Sequence, residues 1–266
     1  MAPWFQTPLG RYLLAWEQHQ LEEVVADIFG FHALQVGLPE LDGLAANRMP
    51  HRWLAAAQPA DAAKPLEAPA AGGVSLCCDF DALPFDSKSL DLVLLTHALE
   101  LARDPHLALA EVERVLRPEG RVVILGFNPA SLWGAQRWTK RLVRRLGGAS
   151  QTPALPAVGE FIGFRRMRDW LRLLSFEVEG GRFGCYRPPL AGPKWLARVE
   201  WMESAGERWW PVFGAVYLLV AVKRVRGMRL VGLVRDTRVP VAAAPAMVAQ
   251  RESTPELQVE RSALER

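Results

Sequence analysis

The sequence contains little cysteine, no long apolar run and almost no excess of charge. Three cysteines in 266 residues, with Cys77 and Cys78 adjacent, argue against a disulfide framework or a zinc site and favour a reducing cytosol. No segment reaches the roughly 18 apolar residues of a membrane span, and the N-terminus shows no signal-peptide pattern. A net charge of +3 is too small to indicate nucleic-acid binding unless the positive residues share one face.

The composition is typical of one α/β domain with extensions. A chain of 266 residues can bury one substantial core. Apolar residues at helical spacing predict an N-terminal helix within residues 1–30, followed by a single domain over residues 31–223. That domain includes a tryptophan-rich insertion at residues 184–211. Residues 55–73 are predicted to form a loop, and residues 224–266 a basic and then disordered tail.

The stretch from Asp79 to Gly126 is the most informative part of the sequence. Residues 91–96 form a short apolar run, which is typical of a strand buried on both faces of a parallel sheet. Asp104-Pro105 supplies a helix N-cap and a proline at the first helical position, and residues 116–120 end that helix. Residues 121–126 form a second apolar strand. The stretch therefore predicts two parallel strands joined by a helix.

Polar residues follow these strands at the edge where open α/β sheets bind ligands. His97 is a candidate general base, and the alternative is a histidine held by hydrogen bonds in a loop. Asn128 is a candidate to orient an acceptor, and the alternative is a turn former. Asp79 is a candidate carboxylate facing a ligand, with a solvated turn residue as the alternative. Glu100 is expected to be exposed.

Three segments resemble the second half of class I S-adenosylmethionine-dependent methyltransferases, within the type 11-like group that acts on small molecules. The segments are residues 78–85 (CDFDALPF), 89–93 (SLDLV) and 111–121 (EVERVLRPEGR). Residues 126–129 and 131–134 resemble an uncharacterised bacterial branch of the same superfamily. The resemblance implies a Rossmann-like α/β fold, with helices on both faces of a seven-stranded mixed sheet that is parallel except for one antiparallel strand. In that fold residues 176–178 and 212–222 form the closing antiparallel pair.

The resemblance also implies S-adenosylmethionine as the cofactor and assigns residues to it. The acidic residue at the position of Asp79 faces the adenine in the family. Gly37, Phe80 and Thr96 fall on the cofactor side by the same comparison.

The glycine loop after the first strand departs from the family pattern. Gln35 stands where members carry an acidic residue, Gly37 is the one glycine kept, and Pro39 and Leu41 replace two others. A ribose-binding carboxylate is also missing, because the second strand leads into Gln58-Pro59. Glycine lacks Cβ and tolerates positive φ, so Pro39 and Leu41 are expected to stiffen the loop and narrow the pocket. Cofactor binding is therefore expected to be weak.

The predicted function is methylation of a small molecule by S-adenosylmethionine, with His97 and Asn128 on the acceptor side. Two alternatives stay open. One is a non-catalytic methyltransferase-like binding or scaffold protein that has lost the cofactor, and the other is an RNA-directed methyltransferase. The sequence identifies neither the acceptor nor the oligomeric state.

Two further features concern the surface of the protein. One helix is predicted to carry Arg137, Arg141, Arg144 and Arg145 on one face and Trp138, Leu142 and Leu146 on another. Such a helix suits an RNA backbone or an anionic membrane surface, and the alternative is a solvated helix whose apolar face packs on the sheet. The tryptophans of the insertion predict either a lid over a flat apolar substrate or the core of a small subdomain.

Overall fold

The computed structural model describes residues 2–56, 74–145, 155, 159–189 and 193–224. The described helices are α1 (Ala2–Phe5), α2 (Pro8–Val25), α3 (Ala98–Leu101), α4 (Pro105–Val115), α5 (Leu132–Arg145), α6 (Phe164–Leu173), α7 (Pro193–Arg198) and α8 (Trp201–Trp209). The described strands are β1 (His32–Gly37), β2 (His51–Ala56), β3 (Val74–Cys77), β4 (Leu90–Thr96), β5 (Leu116–Phe127), β6 (Phe176–Gly184) and β7 (Val216–Lys223). Most of the predicted loop and nearly all of the predicted tail lie outside the described residues.

The strands form one mixed sheet in the order β3-β2-β1-β4-β5-β7-β6. β7 is antiparallel to both of its neighbours, and the remaining pairs are parallel. This topology confirms the predicted seven-stranded sheet with one antiparallel strand. The strand order reverses between β1 and β4, which is the position where open α/β sheets bind ligands beyond the carboxyl ends of their strands. Gly37 and Thr96 are in register at that edge.

Apolar side chains on both faces of the sheet determine where the helices pack. On one face, α4 and α6 contact the strands through residues that include Leu109 and Met167. On the other face, α2 contacts the strands through Leu21. A third cluster, which includes Phe127 and Trp133, lies at the carboxyl edge and joins α1 and α2 to the start of α5. The predicted helices on both faces are thus confirmed.

Two strand boundaries differ from those predicted. β5 begins at Leu116 rather than at residue 121, because Leu116 already pairs with Leu90 of β4. β7 begins at Val216 rather than at residue 212, because Pro211–Phe213 form a 3₁₀ turn. At the N-terminus the structure has the short helix α1 and then α2, which runs from Pro8 to Val25.

No helix within the described ranges is long and apolar enough to cross a membrane. The same residues contain no group of three or more His, Cys, Asp or Glu side chains arranged to hold a metal ion.

Candidate cofactor site

An open cleft lies at the carboxyl edge of the sheet, beyond the end of β3. Its volume is about 330 Å³, and it is lined by residues 79–81 and 101–104. Phe80 and Leu101 supply apolar surface, and Asp79 is exposed, so its carboxylate can accept hydrogen bonds from a ligand. The cleft is lined by Asp79, the residue predicted to face the adenine, and by Phe80, a second residue predicted on the cofactor side. We call it the Asp79 cleft.

Two residues of the EVERVLRPEGR segment fix the turn that follows Asp79 to helix α4. Glu111 accepts a hydrogen bond from the N–H of Leu83 at 3.2 Å and pairs with Arg114 at 2.8 Å. Arg114 donates to the carbonyl oxygens of Leu83 at 3.1 Å and Phe85 at 2.9 Å. Residues three apart share a helix face, so the Glu-x-x-Arg spacing lets both side chains reach the same turn. The pair thereby positions the Asp79 cleft.

The crevice between β1 and β4 is closed by hydrogen bonds among its own residues. Gly37 has a φ of +121°, and a Cβ at this position would lie 2.2 Å from the carbonyl oxygen of Thr96. The N–H of Leu38 donates to the Thr96 carbonyl at 3.2 Å and to the Thr96 hydroxyl at 2.9 Å. That hydroxyl donates in turn to the carbonyl of Val36 at 3.2 Å. Gly37 and Thr96, two of the four predicted cofactor-side residues, are therefore in contact within the sheet.

Gln35 holds the loop after β1 in a closed conformation. Its Nε2 donates to the carbonyl oxygens of Leu38 at 3.0 Å and Leu41 at 2.5 Å, and its Oε1 accepts from the N–H of Gly43 at 2.9 Å. An amide can donate and accept at once, which a carboxylate at this position cannot do. Leu41 is buried in the core, whereas Pro39 is exposed at the surface. Gln35 and the buried Leu41, more than Pro39, thus hold the loop.

His97 is fully buried, and its imidazole lies between two carboxylates. Its Nε2 is 2.7 Å from Oε1 of Glu17 in α2, and its Nδ1 is 3.8 Å from Oε1 of Glu100. Glu100 is also buried and accepts a hydrogen bond from the N–H of Phe127 at 2.7 Å. The expectation that Glu100 is exposed is therefore wrong, because this carboxylate caps the end of β5. His97 connects α2 to the strand ends, and its role as a general base stays a prediction.

Asn128 is buried as well, and its side-chain amide is used within the fold. Nδ2 donates to the carbonyl oxygens of Val212 at 2.8 Å and Gly214 at 2.9 Å, and Oδ1 accepts from the N–H of Ala130 at 3.1 Å. These bonds hold the chain after β5 against the approach to β7. The proposed role of Asn128 toward an acceptor stays a prediction.

The two carboxylates control the ionisation of His97. Burial lowers the pKa of His97, but the charge and the hydrogen bond of Glu17 and the charge of Glu100 outweigh burial and raise that pKa to about 10. An unfolded histidine has a pKa of about 6.5. Between these two values the folded protein binds one more proton than the unfolded chain. The stabilisation is therefore complete below about pH 6.5 and is lost as the pH rises through about 10.

We expect the free energy of unfolding to fall by about 1.4 kcal/mol per pH unit between about pH 7 and 9. His97→Gln should remove this slope, whereas His106→Gln, on the exposed side of α4, should leave it unchanged. Urea denaturation at several pH values measures the slope, and an NMR titration of the imidazole gives an independent readout. Equal slopes in the wild type and in His97→Gln would contradict the assignment.

The described residues fit the adenosine half of S-adenosylmethionine better than its methionyl half. Adenosine presents a flat apolar ring with amino and hydroxyl donors, and the Asp79 cleft offers apolar surface with carboxylate acceptors. At the β1 loop, the N–H of Leu38 already bonds Thr96, and Pro39 has no N–H. Neither Leu38 nor Pro39 therefore offers a backbone N–H group that could donate a hydrogen bond to the methionyl half. Gln58, at the predicted ribose position, lies outside the described residues.

Comparison with known proteins identifies the family. A family model described as "Methyltransferase domain" matches residues 51–124, a range that includes the whole Asp79 cleft. The seven-stranded sheet with one antiparallel strand is the fold of the same superfamily. The chain belongs to the class I S-adenosylmethionine-dependent methyltransferase superfamily.

This methyltransferase-superfamily chain has relatives of known and unknown activity. It is 31% identical over 226 residues to the uncharacterized protein YafS of Escherichia coli (strain K12). The alignment covers 83% of this chain and 80% of YafS. It is 26% identical over 136 residues to the ubiquinone/menaquinone biosynthesis C-methyltransferase UbiE of Syntrophotalea carbinolica, covering 45% of this chain and 57% of UbiE. A solved S-adenosylmethionine dependent methyltransferase from Mesorhizobium loti matches with a TM-score of 0.51 at 16% identity, covering 77% and 97% of the two chains. That structure shares the fold.

Sequence reasoning missed Glu17 as part of the site. Leu13, Glu17 and Leu21 recur at four-residue spacing, so they share one face of α2, and all three are buried. A carboxylate on an otherwise apolar helix face rarely becomes buried without a partner. That interruption of the apolar stripe is the signal in the sequence that points to Glu17.

Proposed function

We propose that the protein is an S-adenosylmethionine-dependent methyltransferase that acts on a small molecule. The observation that carries the proposal is the Asp79 cleft, an adenosine-sized site at the carboxyl edge of a methyltransferase-superfamily sheet. Asp79 accepts a hydrogen bond from the adenine amino group, and Phe80 supplies apolar contact. Gly37 and Thr96 lie on the methionyl side, and His97 and Asn128 on the acceptor side.

A small-molecule acceptor is supported by the relatives named as ubiquinone/menaquinone biosynthesis C-methyltransferases. When bound, S-adenosylmethionine supplies an electrophilic methyl group on a good leaving group. The protein then has to hold an acceptor atom in line with that methyl group, which needs position more than side-chain chemistry.

Asp79→Ala is expected to weaken the binding of S-adenosylhomocysteine by one to two orders of magnitude, because a lost hydrogen bond to a charged group costs about 1.5–3 kcal/mol. The melting temperature should stay within a few degrees, because Asp79 is exposed. Isothermal titration calorimetry measures the affinity. Asp86→Ala is the matched control, since Asp86 is an exposed aspartate beyond the same turn and does not line the cleft.

Titration to millimolar S-adenosylhomocysteine with neither heat nor a thermal shift would overturn the proposal. If the ligand binds and Asp79→Ala leaves its affinity unchanged, the adenine assignment is wrong although the activity stands.

The second candidate is a non-catalytic binding module that recognises adenosine alone. The closed β1–β4 crevice favours it, because Gln35, Leu38 and Thr96 already satisfy one another there. Titration with adenosine separates the two candidates. A methyltransferase binds S-adenosylhomocysteine more tightly than adenosine, since the methionyl half adds contacts, whereas the non-catalytic module binds both equally.

A further inference from the structure

Helix α5 presents an apolar strip to the outside of the protein. Trp138 is 64% exposed and Leu142 is 42% exposed, and the two lie one helical turn apart. The alternative in which this face packs on the sheet is therefore wrong for both residues. The residue that packs inward is Trp133, which is fully buried and donates its indole N–H to the carbonyl of Arg187 at 2.8 Å.

The same helix is strongly cationic. It carries Arg137, Lys140, Arg141, Arg144 and Arg145, and no acidic residue. Arg141 and Arg145 follow Trp138 at three and seven positions, so they border the exposed apolar strip. The surface formed by Trp138, Arg141, Leu142 and Arg145 is called the α5 face below.

A cleft at the base of α5 places two of these cations close together. It has a volume of about 430 Å³, and its lining includes Arg137, Arg141 and Glu160 together with Trp138 and Phe161. Burial and the neighbouring charge of Arg141 lower the pKa of Arg137. Glu160 balances one of the two guanidinium charges, so the lining keeps a net positive charge that favours an anionic group.

We propose that the α5 face docks the protein on an anionic phospholipid surface. Arginines that border exposed tryptophan and leucine match the interface of a bilayer, where the phosphates attract the cations and the apolar side chains enter the acyl boundary. An RNA backbone would attract the arginines equally but offers no apolar phase for Leu142. The charge of α5 and its exposed apolar strip together favour the membrane, and this inference does not rest on the proposed enzymatic function.

The test is sedimentation of the full chain with vesicles. Vesicles that contain phosphatidylglycerol in phosphatidylcholine should bind the protein, vesicles of phosphatidylcholine alone should bind it much more weakly, and added salt should reverse the binding. Each basic residue near an anionic surface changes binding about fivefold. We therefore expect the double substitution Arg141→Glu with Arg145→Glu to weaken binding at least about tenfold.

The matched charge control is Arg165→Glu with Arg172→Glu on α6. It changes the net charge by the same amount at two exposed positions, and it should leave vesicle binding close to that of the wild type. The matched aromatic pair is Trp138→Ala and Trp201→Ala. Both tryptophans are 64% exposed, but α8 around Trp201 also carries acidic residues. Trp138→Ala should weaken binding about tenfold through lost apolar burial, and Trp201→Ala should not.

Four outcomes would overturn the proposal. The first is that neutral and anionic vesicles bind the protein equally. The second and third are that the two tryptophan variants, or the two charge variants, lose binding equally. The fourth is that the protein binds RNA but not vesicles, and that the α5 substitutions abolish the RNA binding. Size-exclusion chromatography with light scattering tests a further occupant, a second copy of the chain. If Trp138→Ala dissociates an oligomer and vesicles do not bind, the α5 face is a protein interface instead.

Discussion

Glu17→Ala is expected to lower the free energy of unfolding by about 3–5 kcal/mol at neutral pH. Glu17 and His97 are fully buried, and their side chains are 2.7 Å apart. Without Glu17, the imidazolium keeps only Glu100 at 3.8 Å as a negative partner, and the missing side chain leaves a cavity beside it. Urea denaturation monitored by circular dichroism measures the loss.

Glu22→Ala, on the exposed side of the same helix, is the control for Glu17→Ala. It removes the same groups from the surface and should change stability by no more than about 0.5 kcal/mol. Glu17→Gln should cost less than Glu17→Ala, because it keeps the shape and one hydrogen-bonding oxygen. If Glu17→Ala and Glu22→Ala have equal effects, the pair with His97 does not stabilise the fold.

Gly37→Ala is expected to cost more than about 4 kcal/mol or to prevent soluble folding. The φ of +121° disfavours any residue with a Cβ, and the new Cβ would meet the carbonyl oxygen of Thr96 at 2.2 Å. That oxygen belongs to the backbone of β4, so relief requires β1 and β4 to move apart at the centre of the sheet. Thermal and chemical denaturation of the purified variant measure the loss.

Gly180→Ala is the matched control, because no atom lies within 4 Å of a Cβ built at Gly180. It lies on β6, an edge strand of the sheet, and its substitution should change stability by less than about 1 kcal/mol. A Gly37→Ala protein as stable as Gly180→Ala would show that the loop after β1 relaxes easily. The hydrogen bonds that close the crevice would then not prevent it from opening to a ligand.

Local signals in the sequence were sufficient for the central strand-helix-strand unit. The N-cap predicted at Asp104 is present, since its carboxylate accepts from the N–H groups of His106 and Leu107 at 2.8 and 3.3 Å. Such caps involve residues two or three positions apart, so the sequence alone contains the whole interaction. The resemblance of this unit to a methyltransferase then implied a seven-stranded sheet that is parallel except for one antiparallel strand, which the structure confirms.

The state of the candidate site depends on contacts between distant residues. Glu17 and His97 are 80 positions apart, and nothing near either residue in the sequence indicates that they meet. The sequence showed that Gln35 replaces an acidic residue. It did not show that the amide binds three backbone groups and closes the loop, because those partners depend on the path of the chain after β1.

The sequence by itself determined the type and approximate position of the central elements, because hydrophobic periodicity, caps and turn residues act over a few positions. It also determined that α5 has an apolar and a basic face. Only the tertiary structure decided which face is buried, because Trp133 rather than Trp138 finds both apolar contacts at the carboxyl edge and an acceptor for its indole N–H. Periodicity fixes the angle between side chains around a helix, whereas the neighbouring elements fix the rotation of the helix against the sheet.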